Sequence, residues 1–411
     1  MLKIIKRVLT AFLRRLLYVI SFPVALMLVL LSPFIKIRIV GLQSFRIGHY
    51  SLTTELMLCA LELNNLDQKI KTIFYNMSKP CNIKLYKMWG RVIPIFPFAR
   101  LAIQVDQCLS WIIRKSYRDD VIKRMYESCA TGTIDKNGFL KKIEKPHLFF
   151  TEKEIIQARN IMRQLGIADN AQFICLVVRD SAYLNRHYPE KDWSYHNHRD
   201  ASVASYRKAA LYLANKGYYI LRMGKYVNQS FDVGHPCVID YANHPLRSDF
   251  MDIYLSANCF FCISTCTGLD CVSQIFRKPV LLTNISPRLG ETLMWYPCTL
   301  FIPKLLKNIE TNQFLTLSET AEICRSLASN NVLMELAKQN LTMVENNEDE
   351  LLEVVKEMEG YLTNEWHETS EIKLQQMHYW KNYKKNYPIS VNDIYIKIGA
   401  DFLQQNHGLL N

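Results

Sequence analysis

From residue 151 onward the chain alternates helical periodicity with short, uninterrupted apolar runs. Thr151-Glu152-Lys153-Glu154 is a capping box opening a helix that runs through Leu165 and stops at Gly166. Residues 173–178 (FICLVV) form a continuous apolar run, the pattern of a strand buried on both faces. Residues 203–215 predict an amphipathic helix ended by Gly217, and 218–222 the next strand. Residues 248–284 read as helix, buried strand (259–264), hydroxyl-rich turn and helix. Lys278-Pro279 then leads into another buried strand. Alternation of this kind predicts an α/β fold, a parallel sheet with right-handed crossovers.

The first half is less regular. Residues 44–49 (SFRIGH) predict a short strand running into a helix over 53–63, whose acidic residue lies early and whose apolar face is broad. Residues 71–75 (KTIFY) predict the next strand, a βαβ-like opening. Glu144-Lys145-Pro146-His147 reads as a linker, and past Asn346 the chain turns acidic ahead of a structural helix. The division expected is a basic membrane anchor (residues 1–40), a first α/β domain (41–147), a second (148–340) and a C-terminal helical region (341–411).

Charge sharpens the anchor. The formal net charge is +12, and eight basic residues precede the first acidic one, Glu55: Lys3, Lys6, Arg7, Arg14, Arg15, Lys36, Arg38 and Arg46. They flank residues 16–31 (LLYVISFPVALMLVLL), an uncharged run extending to Ile35 and close to the ~20 residues a spanning helix needs. The rest of the chain is only mildly basic, without the Lys/Arg stripe of a nucleic-acid binder. The charge is expected at a membrane surface. Ser32-Pro33-Phe34-Ile35-Lys36 offers no cleavage site of small residues, and Pro23 and Pro33 leave spanning and in-plane attachment both open. The 12 cysteines show no disulfide-framework spacing, which suits a reducing compartment. Cys259, Cys262, Cys266 and Cys271 resemble a metal set only superficially, because a strand turns Cys259 and Cys262 to opposite faces. No metal is expected there.

Ligands of parallel α/β sheets bind beyond the carboxyl ends of the strands, so the loops there carry the candidates. Ser264-Thr265-Cys266-Thr267-Gly268 joins a strand to a helix, a seat for phosphate, although Ser and Thr also simply cap helices. Arg179 directly follows a buried strand and can fork onto phosphate, or pair with Asp180 at the surface. Gly224 and Lys225 follow the strand at 218–222. Asp249 and Asp252 share a helical face at the start of their helix, where acidic residues are ordinary. Tyr195-His196-Asn197-His198-Arg199-Asp200 reads as a solvent-facing loop or a substrate contact. His49, after a glycine turn, is the candidate general base if its pKa stays near the usual value; the turn backbone alone also accounts for it. Glu55 is the second candidate base, or a compensation of the helix dipole. No P-loop, Gly-x-Ser-x-Gly elbow, dinucleotide fingerprint or Asp-x-Asp triplet is present.

In this order, Arg46-Ile-Gly-His49, residues 174–184 (ICLVVRDSAYL), His198-Arg-Asp200, residues 217–224 (GYYILRMG), Asp240-Tyr241, Ser248-Asp-Phe-Met-Asp252, the turn at 264–268 and Phe276-Arg-Lys-Pro279 resemble a family of bacterial glycosyltransferases tied to surface-polysaccharide synthesis. The resemblance covers roughly residues 44–362. More distantly, the strand before Arg179 and the turn at 264–268 are similar to donor-binding segments of fucosyltransferase-like and heptosyltransferase-like enzymes. Those usually carry a histidine before the arginine, where this chain has Val178. The resemblance implies a GT-B fold, two Rossmann-like domains facing a cleft, with the acceptor on the first and a nucleotide sugar on the second. Its implied mechanism is metal-independent and needs no cofactor. Arg179, Ser264, Thr265 and Thr267 hold the diphosphate, and Gly224 and Lys225 border the donor pocket with Asp180 and Gly268. Asp249 touches the base or ribose, and His49 or Glu55 deprotonates a polysaccharide or lipid-linked acceptor. A place at the cytoplasmic face of the inner membrane follows from where nucleotide sugars are made. Alternatives are a polysaccharide pyruvyl transferase-like modifier and a non-catalytic, membrane-tethered assembly protein.

Overall fold

The computed structural model describes residues 2–63, 70–112, 135, 138–287, 299–327, 331–386 and 396–409. The chain divides into two compact units, Met1–Ile134 with Lys145–Phe149, and Asp135–Glu144 with Phe150–Asn411. Both are built on parallel sheets, so the fold is α/β.

The first unit opens with helix α1 (Leu2–Leu31). It continues through β1 (Lys36–Leu42), α2 (Thr54–Leu63), β2 (Ile70–Asn76), α3 (Ile83–Val92), β3 (Ile95–Phe96) and α4 (Ala99–Ile112). The three strands are parallel in that order. The strand expected at residues 44–49 therefore lies earlier. Lys36–Leu42 (KIRIVGL) carries the β-branched residues, and it pairs with β2 from Lys36↔Ile70 to Leu42↔Asn76. Beyond it the chain turns, pinned where the buried Ser44 hydroxyl donates to the Ser78 carbonyl (2.6 Å) and accepts from the Ser78 N–H (3.1 Å). Residues 36–40, read as the end of the anchor, thus belong to the sheet. On α1, Val24, Ala25, Leu28 and Val29 pack on Val105, Cys108 and Leu109 of α4. Val19, Phe22, Leu26 and Leu30 remain exposed. Among the described residues no helix is long and apolar enough to cross a membrane.

The second unit supplies β4 (Phe173–Val177), β5 (Tyr219–Arg222), β6 (Val238–Ile239), β7 (Cys262–Ser264), β8 (Val280–Ile285) and β9 (Thr299–Pro303). An antiparallel pair of β10 (Leu305–Asn308) and β11 (Leu341–Val344) follows, and then β12 (Ile396–Ile398). Seven strands form one parallel sheet in the order β12-β9-β8-β7-β4-β5-β6. Every residue of β4 and β8 is buried, as the unbroken apolar run of β4 requires, and in β8 the buried set includes the polar Thr283 and Asn284. The capping box at Thr151 forms as the sequence predicts. The C-terminal stretch expected to be helical also contributes β11 and the edge strand β12.

A polar lock ties the acidic helix Glu348–Thr363 to this sheet. Asn284 leaves the β8 ladder at φ 54°, and its amide pairs reciprocally with Asn346 just before the helix: each backbone N–H donates to the other's Oδ1 at 2.7 Å. Asn346 also donates to the Pro303 carbonyl (2.9 Å), and Asn284 to the Tyr206 hydroxyl (3.1 Å). Burial pushes the Tyr206 phenol up to about 12. Asn346→Ala orphans the buried Asn284 N–H and the Pro303 carbonyl. It should cost roughly 2–4 kcal/mol, read as a lower urea midpoint, whereas Asn312→Gly, at an exposed site of φ 59°, should leave the midpoint nearly unchanged.

Candidate functional site

The order of the large sheet locates its ligand end. From β4 the chain proceeds to β5 and β6 on one side, then returns to place β7 on the other. Such a switch point opens a crevice beyond the carboxyl ends of the two central strands. The two loops meet there: the Arg179 backbone N–H donates to Thr265 Oγ1 at 2.9 Å.

Cations gather around this junction. The Arg179 guanidinium is 11% exposed, paired with Asp200 and donating to the His196 carbonyl at 3.1 Å. Arg199 donates to the Cys266 carbonyl, while its buried Nε has no hydrogen-bond partner. Lys304, immediately after β9 and buried, reaches the Asp200 carbonyl and lies 3.6 Å from Glu345. Burial, and then the neighbouring Arg199, bring Arg179 down to about 10, with Asp180 opposing. Burial also lowers Lys304, with Glu345 opposing and Arg179 adding to the fall. Arg179 keeps its charge against this burial through the Asp200 pair and the His196 carbonyl.

The turn after β7 differs from its expected role. Ser264 is fully buried and donates to Asp270 Oδ2 at 2.7 Å, and the Thr267 N–H donates to the same oxygen at 2.9 Å. A protein carboxylate thus takes two donors that the sequence reading assigned to phosphate. The Thr267 hydroxyl accepts from the Leu269 N–H at 3.3 Å, Gly268 completes the turn, and Cys266 sits at φ 59°. Thr265 faces Arg179 instead of the helix. Burial raises Asp270 to about 6, against the pull of the Ser264 and Thr267 bonds.

The remaining candidates form a second cluster beyond β4 and β5. Asp180 accepts from the Ala182 N–H (2.9 Å) and the Asn228 N–H (2.8 Å), so it joins the two loops. Arg222 at the end of β5 is fully buried, 3.2 Å from Asp240. Gly224 has φ 151°, and a Cβ there would meet Val227 at 2.7 Å, so only glycine fits this turn. Lys225 and Asp249 pair at 3.4 Å, and Arg247 approaches Asp249 at 3.5 Å and bonds Asp252. Burial raises Asp252 to about 6. The loop read as solvent-facing is a 3-10 turn (Ser194–Arg199) over the strand ends, and its buried His198 bonds Ser286 through Nδ1 at 2.7 Å.

In the first unit, His49 opens a π-helical turn (His49–Thr53), a local geometry frequent at functional sites. Burial, and then Arg46, lower its pKa to about 4, so the expectation of an ordinary histidine pKa is corrected: the ring is neutral at physiological pH. Glu55 is fully buried and faces His147 Nδ1 at 3.2 Å, a contact that goes beyond dipole compensation. Lys304 and Asp270 were not selected from sequence, and Arg199 only as part of the loop read as solvent-facing or a substrate contact. The position of Lys304 directly after a strand-length apolar run was the available signal.

No family model and no curated protein matches the chain. Solved structures do. The chain is similar to the E. coli ADP-heptose LPS heptosyltransferase II at 12% identity and a TM-score of 0.39, over 74% of this chain and 98% of that one. It is similar to a family 9 glycosyl transferase from Veillonella parvula at 9% identity and a TM-score of 0.37, over 65% of this chain and 86% of that one. A UDP-bound S. aureus MnaA matches at 11% identity and a TM-score of 0.29, over 82% of this chain and 99% of that one.

The buried carboxylate has a pH signature. Because Asp270 binds its proton more tightly folded than unfolded, its contribution to stability is fully present below the unfolded pKa, near 4, and disappears as pH rises through about 6. Stability of wild type relative to Asp270→Asn should therefore fall by of the order of 1–3 kcal/mol between pH 4 and 7 in urea titrations. A difference that rises over that window would refute the assignment.

Proposed function

We propose that the chain is a membrane-associated glycosyltransferase of GT-B type that uses a nucleotide-sugar donor. The observation that carries this reading is the group of cations, buried Lys304 and half-buried Arg179 and Arg199, at the switch point between β4 and β7. A nucleoside diphosphate is the ligand whose charge answers that group and whose base and sugar suit a sheet-edge crevice. The acceptor oxygen attacks the anomeric carbon, the bond from that carbon to the diphosphate oxygen breaks, and the cations stabilise the departing diphosphate. Thr265 holds the backbone of Arg179 in place, and Thr267 and Gly268 border the same edge. His49, held neutral and weakly basic by burial and Arg46, takes the acceptor proton in this reading only as the anomeric bond breaks. The resemblance of residues 44–362 to polysaccharide glycosyltransferases favours a polysaccharide or lipid-linked acceptor.

Isothermal titration of the full chain in detergent, with nucleoside diphosphates and no added metal, tests the seat. Arg199→Ala should weaken binding by roughly 10- to 100-fold, the loss of a charge-assisted contact, with Arg179→Ala at least as severe. Turnover of a nucleotide sugar separates transferase from binder. Binding without sugar consumption across a donor panel would mark a nucleotide-binding regulator, and no binding at all would favour the pyruvyl transferase-like modifier, which uses a different donor, or the assembly protein.

Membrane attachment in this proposal lies in the plane of the cytoplasmic face of the inner membrane. Val19, Phe22, Leu26 and Leu30 are exposed on α1, Phe34 follows at 85% exposure, and Lys3, Lys6, Arg7, Arg14 and Arg15 precede them in sequence. The chain should float with anionic lipid vesicles, and Phe22→Glu with Leu30→Glu should abolish flotation while the donor seat still binds diphosphate. Flotation unchanged in that double variant would remove α1 from the proposal.

A further inference from the structure

Away from the donor seat, the first unit brings three unlike ligand groups to one point. Glu55 and Cys59 stand one turn apart on α2, both fully buried. His147 reaches them from Lys145–Phe149, a segment that belongs to this unit although the residues on either side of it belong to the other. His147 Nδ1 lies 3.2 Å from Glu55 Oε1, and Cys59 Sγ lies 3.9 Å from the same oxygen. All three donor atoms fall within 4.8 Å of one another. Glu62, two turns along α2 from Glu55, faces the other ring nitrogen, Nε2, at 3.3 Å.

A neutral imidazole has one N–H to offer, yet here a carboxylate stands at each nitrogen. If the proton sits on Nε2 toward Glu62, the Nδ1 lone pair points at the Glu55 carboxylate, and something positive belongs between them. A proton would make an imidazolium bridge; a divalent cation would make a coordination site. Cys59, whose thiol lies within donating distance of Glu55, favours the cation because a thiol placed beside a carboxylate and an imidazole is a preferred zinc donor once deprotonated. Spacing agrees. Zinc bonds of about 2.0–2.3 Å in tetrahedral geometry set N and O roughly 3.3 Å apart, and S and O roughly 3.6 Å apart. The observed separations are 3.2 and 3.9 Å. Glu62 then has the place of the outer carboxylate that fixes the tautomer of a ligating histidine.

We propose that Glu55, Cys59 and His147 bind a structural divalent metal of zinc type through Oε1, Sγ and Nδ1, clipping Lys145–Phe149 to α2. This site is independent of the donor seat, and it removes Glu55 from the candidate bases.

Cobalt(II) reports the site without reference to activity, since a thiolate ligand adds a sulfur-to-cobalt charge-transfer band in the near ultraviolet. Full-length protein, stripped by chelation, should take up one equivalent of cobalt with that band. Cys59→Ser should lose the band, although every other cysteine is retained. His147→Gln changes a side chain that is 20% exposed and should fold even if Cys59→Ser does not; it should weaken cobalt at least tenfold. Glu62→Gln should weaken it by about 10- to 100-fold, as outer-shell losses do. An identical spectrum in wild type and His147→Gln would place the metal elsewhere. Absence of stoichiometric binding in folded wild type would leave His147 as an imidazolium bridge. Either result overturns the proposal.

Discussion

One buried carboxylate organises the ligand end of the large sheet. Asp270 collects the Ser264 hydroxyl and the Thr267 N–H, and so closes the turn after β7 on itself. With those donors satisfied inside the protein, the turn presents other atoms outward. Thr265 Oγ1 receives the Arg179 N–H, and the Cys266 carbonyl receives Arg199. Two arginines are thereby fixed by one turn through protein contacts alone. For the diphosphate of the proposed function this is preorganisation in its electrostatic form.

The same arrangement explains which parts were legible in the sequence. Strand β4 was readable because burial on both faces leaves no polar residue to interrupt the pattern, β8 because its apolar start follows Lys278-Pro279, and the Thr151 box because capping is local chemistry. β1 was misplaced because Lys36 and Arg38 alternate with apolar residues and follow an apolar run, so the segment read as the flank of an anchor. β12, three residues long and far along the chain, is a strand only because β9 is there to pair with it. Among site residues, Arg179 was readable from its place after a buried strand. The role of Ser264 was not, because hydroxyls that seat phosphate and hydroxyls that satisfy a buried aspartate have the same sequence signature. Lys304 and Arg199 meet Asp200 and Arg179 only through the sheet order, which no local pattern encodes.

Charge illustrates the difference between composition and position. The net +12 is weighted to the first fifty residues and bears on surfaces. The charges that bear on a site number only a few, and they matter through burial. Arg179 is brought to about 10 because its low-dielectric surroundings and Arg199 both oppose its charge. A lysine or arginine in α1 faces no such penalty when it sits at a solvated surface, and it attracts anions through long-range field alone, which salt screens. If the proposed function holds, diphosphate binding at the sheet edge should therefore depend on ionic strength far less steeply than attachment to anionic lipid. The two interactions separate by salt even though both are cation-driven, because desolvated contacts retain at high salt what a screened surface loses.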